Sequence, residues 1–433
     1  MERYDSYKDS GVDWIGQIPE QYSITKLKYI SNLFGRIGFR GYNSDDLNQE
    51  GIGAITISPS NIIENRLDLS KVTYLSWAKY YESPEIQVRN NDILLVKTGS
   101  CGKSCYVSNL SEPATINPQL LRIVPKCFPK FLYYCLQSLF FKYAINCYIT
   151  GSTVPTISQT NIGAIYILVP STEEQQAIAA YLDEETGKLD DAVEKLERMV
   201  EVLKERKQLI ISKAVTRGLD DSVPLKDSGV EWIGQIPEHW NLRKIKSVSI
   251  FNPSKKTANL DLVGYAPMEC IRTGAIEIRS ISVKQLPTGL TYFENGDLVV
   301  AKVTPCFENN NIAIAKNLTN GCAFGSSELF VFRPTNICDK FLFYYFQDEQ
   351  FKNKCCSTMR GTGGLKRVQS DFVLNAKIPY PDLSEQQAIA AYLDEKVGKL
   401  DEAIEKQLRM IELLKERKQI LISDVVTGKI KVA

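Results

Sequence analysis

Histidine is almost missing from this chain: one residue, His239, serves 433 positions. Imidazole is the commonest general base near neutral pH and a leading zinc ligand. A histidine-dependent catalytic triad and a Cys/His zinc site are therefore all but excluded. No apolar run reaches the 18 residues of a membrane-spanning helix. The opening Met1-Glu2-Arg3-Tyr4-Asp5 is polar and lacks the apolar core of a signal peptide, so a cytoplasmic protein is expected. Cysteines number eleven, an odd count with no Cys-x-x-Cys pair. They predict free thiols packed as small hydrophobes, not a disulfide framework. Neither charge sign dominates, with 52 Lys+Arg against 51 Asp+Glu. DNA binding by bulk positive charge is thereby excluded; local patches or partners would have to neutralise phosphate.

Catalytic signatures are also lacking. Gly102-Lys103-Ser104 ends like a phosphate-binding loop, but Lys97 stands where the first glycine is required. Asn117-Pro118-Gln119 and Asn252-Pro253-Ser254 do not match the Asn/Asp-Pro-Pro-aromatic loop of an amino-methyltransferase. No Gly-x-Gly-x-x-Gly occurs, and Glu205-Arg206-Lys207 has a nuclease-like spacing on a helix without an active-site strand. The pattern reads as a binding protein, not a catalyst.

What the chain does have is an internal repeat. Residues 8–20, KDSGVDWIGQIPE, return at 226–238 with only Asp13 changed, to Glu231. Residues 174–212 return at 385–423 as near-copies, EQQAIAAYLDEETGKLD against EQQAIAAYLDEKVGKLD. The segments between, about 30–172 and 248–383, diverge but keep a pattern. Asn91-Asp92-Ile93-Leu94-Leu95-Val96-Lys97 aligns with Gly296-Asp297-Leu298-Val299-Val300-Ala301-Lys302. Lys130-Phe131-Leu132-Tyr133-Tyr134 aligns with Lys340-Phe341-Leu342-Phe343-Tyr344, and the Thr150-Gly151 loop with Arg360-Gly361. His239 falls on Gln21 in the other copy, so it serves no role common to both. Near-copies do something shared by the two halves, whereas divergent segments do something that must differ.

The short β-branched runs predict buried strands. Aromatics at helical spacing in 130–145 and 340–352 predict core-facing helices, with a base-stacking platform as the alternative. Residues 188–214 carry an apolar seam at Leu189, Val193, Leu196, Val200 and Leu203, interrupted by Lys207. The second copy has Leu400, Ile404, Gln407, Ile411 and Leu414. Gln407 either fixes register or sits in a partly exposed seam. Gly187 and Gly398 predict a break, giving a short helix (about 174–185) before a longer one. The fold class expected is α+β: two similar mixed α/β domains, joined and separated by long helices packed as a coiled coil, with an internal pseudo-two-fold repeat. The boundaries expected are 1–172 and 218–383 for the globular domains and 173–217 and 384–433 for the helical regions. Net charge over those four is +2 (1–172), −3 (173–217), +2 (218–383) and 0 (384–433).

The KDSGVEWIGQIPEHW opening, the QQAIAAYLDE…KLD…LKERKQ helices and the duplicated layout resemble the specificity subunit of type I restriction-modification enzymes, over essentially the whole chain. The resemblance implies two target-recognition domains, each reading one half of a bipartite double-stranded DNA site. It implies helices that dock two methyltransferase subunits, which bind S-adenosylmethionine. It further implies two motor-nuclease subunits that use ATP and Mg. The chain itself would hold no cofactor or metal.

Loops that follow strands and combine Gly, Ser or Thr with a basic residue suit phosphate approach and base-edge contact. In the first domain these are Arg36 and Arg40, Lys97-Thr98-Gly99-Ser100 and Gly151-Ser152-Thr153. In the second they are Arg272-Thr273, Lys302, Thr304, Asn309, Ser326-Ser327-Glu328, Arg360, Lys366 and Arg367. Two other readings remain open at this point: a free-standing sequence-specific repressor, and a coiled-coil scaffold whose globular ends bind proteins.

Overall fold

The computed structural model describes residues 3–12, 14–36, 38, 41–151, 153–254, 260–362 and 364–432. The chain forms two compact units, Met1–Leu196 with Arg409–Ala433, and Glu197–Leu408. This grouping cuts across the four segments read from the sequence, because each long helix is divided between the units.

In each unit the apolar run that follows the Asn/Gly-Asp turn is a central strand. Ile93–Val96 pairs antiparallel with Leu120–Pro125 and Ser104–Tyr106, and Ser31–Gly35 closes the four-stranded sheet beyond Leu120–Pro125. The second unit repeats this order with Ser249–Phe251, Leu329–Pro334, Leu298–Ala301 and Ile312–Ile314. The strand is apolar throughout because both of its faces are covered. Ile93 and Leu95 pack among the helices, and Leu94 and Val96 pack toward a second sheet. Leu298 and Val300, then Val299 and Ala301, divide in the same way. That second sheet has one parallel pair, Ala54–Ile57 with Ala114–Ile116, matched by Leu262–Ala266 with Cys322–Gly325. It has five strands in the first unit and four in the second.

The aromatic segments are core helices. Phe131, Leu132 and Tyr134 of Pro129–Gln137, and Phe341, Leu342, Tyr344 and Tyr345 of Asp339–Tyr345, are buried. The repeated opening segments form matching hairpins, Tyr7–Asp9 with Gln17–Pro19 and Leu225–Asp227 with Gln235–Pro237, in identical register. All eleven cysteines are free.

The expected helix break does not occur. Thr172–Arg217 and Leu383–Val426 are single uninterrupted helices of 46 and 44 residues. A lone glycine costs a helix about 1 kcal/mol relative to alanine. Flanking Leu, Glu, Lys and Ala, together with packing along the seam, outweigh that cost, and no proline removes a backbone donor. Of the seam residues, Val193, Val200 and Ile411 are buried. Leu189, Leu196, Leu203, Leu400, Ile404, Gln407 and Leu414 are half-buried. Lys207, which interrupts the seam in sequence, bonds Asp401 at 2.6 Å inside the second unit. Its counterpart Lys418 bonds Asp190 at 2.7 Å inside the first.

The same joint fastens each domain to its helix. Asp183 accepts from Tyr134 Oη at 2.8 Å and pairs with Lys130. Asp394 accepts from Tyr344 Oη at 2.8 Å and pairs with Lys340. About two turns earlier, Gln175 Oε1 accepts from Phe128 N at 3.0 Å and Gln386 Oε1 from Cys338 N at 2.8 Å.

Gly187 and Gly398 have ordinary helical backbone, and a Cβ added at either would meet nothing within 4 Å. Gly187→Ala and Gly398→Ala should therefore each stabilise the isolated chain by up to about 1 kcal/mol. Urea unfolding of the single variants measures this; a lower midpoint for either would mean the glycine is needed.

Candidate nucleic-acid interface

Beyond the central strand of each unit, five backbone hydrogen bonds build one loop frame twice. In the first unit Lys97 N donates to Gln119 O (2.9 Å), Ile157 N to Lys97 O (2.9 Å) and Gly99 N to Pro155 O (2.8 Å). Thr150 and Thr156 then exchange N–H···O bonds of 2.9 and 2.8 Å. In the second unit Lys302 N donates to Glu328 O (3.0 Å), Val368 N to Lys302 O (2.9 Å) and Thr304 N to Lys366 O (2.9 Å). Arg360 and Arg367 exchange bonds of 3.0 and 2.8 Å. The turn leading in is matched too: Gln119 N donates to Asn117 Oδ1 and Glu328 N to Ser326 Oγ. Glycine follows Thr150 and Arg360 for a steric reason. A Cβ on Gly151 (φ +92) would sit 2.6 Å from Val154 O, and on Gly361 (φ +150) 2.1 Å from Leu365 O.

The frame is shared, but its side chains are not. Thr98, Gln119, Thr150 and Thr156 occupy the positions of Val303, Glu328, Arg360 and Arg367. Arg367 grips Glu328 through Nε and Nη2, both at 2.8 Å. That fork holds the Glu328 carboxyl below its usual range. Lys302 donates to Ser327 O at 2.7 Å and lies over the Phe330 ring. Thr304 Oγ1 accepts from Lys366 N at 2.9 Å and donates to Gly364 O at 3.0 Å. Burial pushes the Lys97 ammonium down. Ser100, Gly151, Thr153, Ser327, Arg360, Lys366 and Arg367 are exposed. The first-unit side chains can offer neutral donors and acceptors, whereas those of the second can meet phosphate and guanine.

Other expected contacts lie elsewhere. Arg36 is a correction: it is only 6% exposed, and it donates to Ile116 O and Thr115 Oγ1 across Tyr42. An Arg-Gly loop looks like surface in sequence, but these interior acceptors draw the guanidinium in. Arg40 and Ser152 lie outside the described residues. Arg272-Thr273 lies at the hairpin between Ile271–Arg272 and Ala275–Ile276, where Thr273 Oγ1 donates to Asn310 O at 2.7 Å. Thr273 lines a cavity of about 290 Å³ with Lys207, Lys340, Asp394 and Asp401. Asn309 sits in the turn after Thr304, its N bonded to Pro305 O. Gln119, Thr150, Thr156 and Val303 were not singled out from sequence. Aligning the halves at Leu120 and Leu329, where both strands restart, would have found Gln119 opposite Glu328.

A family model described as the type I restriction modification DNA specificity domain matches twice, over residues 25–199 and 237–413. The chain belongs to the family of type I restriction-modification specificity subunits. The MjaVIII specificity subunit of Methanocaldococcus jannaschii is 27% identical over 80% of this chain and 81% of that protein. The EcoAI specificity subunit of Escherichia coli is 32% identical over 41% of this chain, but the match spans only 31% of that longer protein. A solved chain from work on complex assembly and conformational transition of the type I R-M system shares the fold. Its TM-score is 0.68 at 15% identity, over 95% of this chain and 99% of that one. In this specificity subunit no helix of the described residues is long and apolar enough to cross a membrane. No group of three or more metal-ligating side chains occurs among the described residues.

Arg36→Ala should cost about 1–3 kcal/mol of stability, by leaving buried acceptors unpaired. It should leave the salt dependence of DNA binding unchanged. Unfolding and binding titrations on one preparation separate the two effects; a shallower salt slope at full stability would return Arg36 to the contact surface.

Proposed function

We propose that this specificity subunit reads an asymmetric, two-part sequence in double-stranded DNA, one half-site per recognition domain, and carries two methyltransferase subunits on its helices. The observation that carries this reading is a doubled architecture with divided variation: one loop frame bearing two side-chain sets, on helices that are near-copies. A target with unlike halves needs unlike readers, and two identical partners need like platforms.

The helices offer such platforms. Met199, Val202 and Leu209 are 49%, 57% and 71% exposed. Their counterparts Met410, Leu413 and Ile420 are 47%, 51% and 45% exposed. Spacings of three and seven residues put each set on one helix face, and apolar stripes on a surface of this kind mark interaction sites. In the assembly S-adenosylmethionine belongs to the methyltransferase partners, and ATP with Mg to two motor-nuclease subunits. The chain contributes recognition without catalysis of its own, in the cytoplasm.

Replacing residues 30–172 by the corresponding domain of a relative should change one half of the methylated sequence and leave the other half intact. A methylation map of cells carrying the exchange tests this; change in both halves, or in neither, defeats the modular reading. Leu413→Glu with Ile420→Glu should release one methyltransferase subunit with little change in the melting temperature of the isolated chain, because both side chains are already about half exposed. Native mass spectrometry of the complex counts the partners; two retained subunits would place the docking surface elsewhere.

A further inference from the structure

Within the shared frame one position combines contact with solvent, difference between the halves and a side chain held ready. It is occupied by Gln119 in the first unit and Glu328 in the second. Each lies at the foot of the returning strand, its carbonyl fixed by the lysine that ends the central strand. Each has its own N–H tied to the turn two residues earlier. The backbone at this position is thus the same in both domains, and only the side chain differs.

In the second unit Glu328 orients Arg367. Nε and Nη2, one edge of the guanidinium, are taken by the carboxylate. The end-on edge, with one N–H on each of Nη1 and Nη2, makes no hydrogen bond among the described residues. Two parallel N–H groups on a planar fork match guanine O6 and N7 in the major groove. Holding the fork in advance removes the rotamer entropy that a free arginine loses on binding. A surface ion pair of this kind contributes little to stability, so folding alone gives no reason for it at the base of this loop. In the first unit Gln119 Oε1 accepts from Asn117 Nδ2 at 3.1 Å, which orients the amide. Its Nε2 makes no hydrogen bond among the described residues. An oriented amide with one free donor edge and a spare acceptor lone pair matches adenine N7 and N6.

We infer that this frame position sets base choice in both domains: Arg367, buttressed by Glu328, reads a G·C pair in one half-site, and Gln119 reads an A·T pair in the other. The inference rests on the DNA-reading role proposed above and names the residues and bases that carry it.

The test uses the full-length chain assembled with its methyltransferase partners. Its methylated motif is mapped in cells, and affinity is measured on duplexes substituted one base pair at a time. Arg367→Lys keeps the charge and removes the fork. It should lose about tenfold discrimination, the order of one bidentate contact, at a single G·C pair of the second half-site. Salt slope and the first half-site should not change. Glu328→Gln should act at the same pair and more weakly. Gln119→Ala should relax a single A·T pair in the first half-site, and because its side chain is exposed the fold does not depend on it. Wild-type discrimination at every position in both Arg367→Lys and Gln119→Ala would overturn the inference while leaving the proposed function intact. An unsubstituted complex that bound and methylated no defined sequence would instead overturn the proposed function itself.

Discussion

The seating of each recognition domain on its helix is the constraint from which the rest of the structure follows. Asp183 and Asp394 receive a tyrosine hydroxyl and a lysine from the domain, and Gln175 and Gln386 cap the helix that follows the sheet. The lysine–aspartate pairs are about two-fifths exposed and belong to the class worth roughly 0–1 kcal/mol. Gln175 and Gln386 are 4% and 1% exposed, and each also donates to a proline carbonyl. Leaving such buried groups unpaired costs about 1–3 kcal/mol apiece. The glutamines therefore dominate the joint, and the lysines add orientation. Because the joint is repeated, loops beyond it are delivered in the same pose whatever they carry.

The divergent segments also keep one ion pair in common. Arg122 pairs with Asp92 and Arg333 with Asp297, across neighbouring strands of the first sheet. Arg122 and Asp92 are both buried, so removing one partner strands the other charge at about 3–5 kcal/mol; Arg333 is half-buried, and its pair carries less. Asp92 and Asp297 also accept backbone N–H groups from the turn that opens the central strand. A pair with two such duties resists change on both sides, and it fixes where that strand begins. The frame loops start at the strand's other end, where sterics hold Gly151 and Gly361 but the neighbouring side chains differ between the units.

Much of this was legible in the sequence. The repeat gave the architecture, the apolar runs gave the two-faced strands, and the periodicity of 189–203 and 400–414 gave the helical seam. Three things were hidden, each for a physical reason. Gly187 reads as a stop signal, but propensity is a weak term once tertiary packing supports the helix on both sides. Arg36 reads as a loop cation, yet its partners Ile116 and Thr115 are 80 and 79 residues away. Six of the ten backbone bonds of the loop frame join residues 22 to 66 apart, and residue type says little about such bonds. Lys97, Lys302, Glu328 and Arg367 were visible; that Gln119 is the counterpart of Glu328 was not.

The division of the chain into units sets an order of events during synthesis. The second unit is one uninterrupted stretch, Glu197–Leu408, and can close as soon as it leaves the ribosome. The first unit needs Arg409–Ala433 as well. Val12, Ile15 and Ile18 of the opening hairpin share a core with Ile422, Val425 and Val426, and Tyr7 Oη donates to Gly428 O. At about 5–20 residues per second, some 20–80 s separate the making of those two walls. The hairpin, made before the second unit, is thus completed only after it, when the segment that supplies Ile422, Val425 and Val426 has been made.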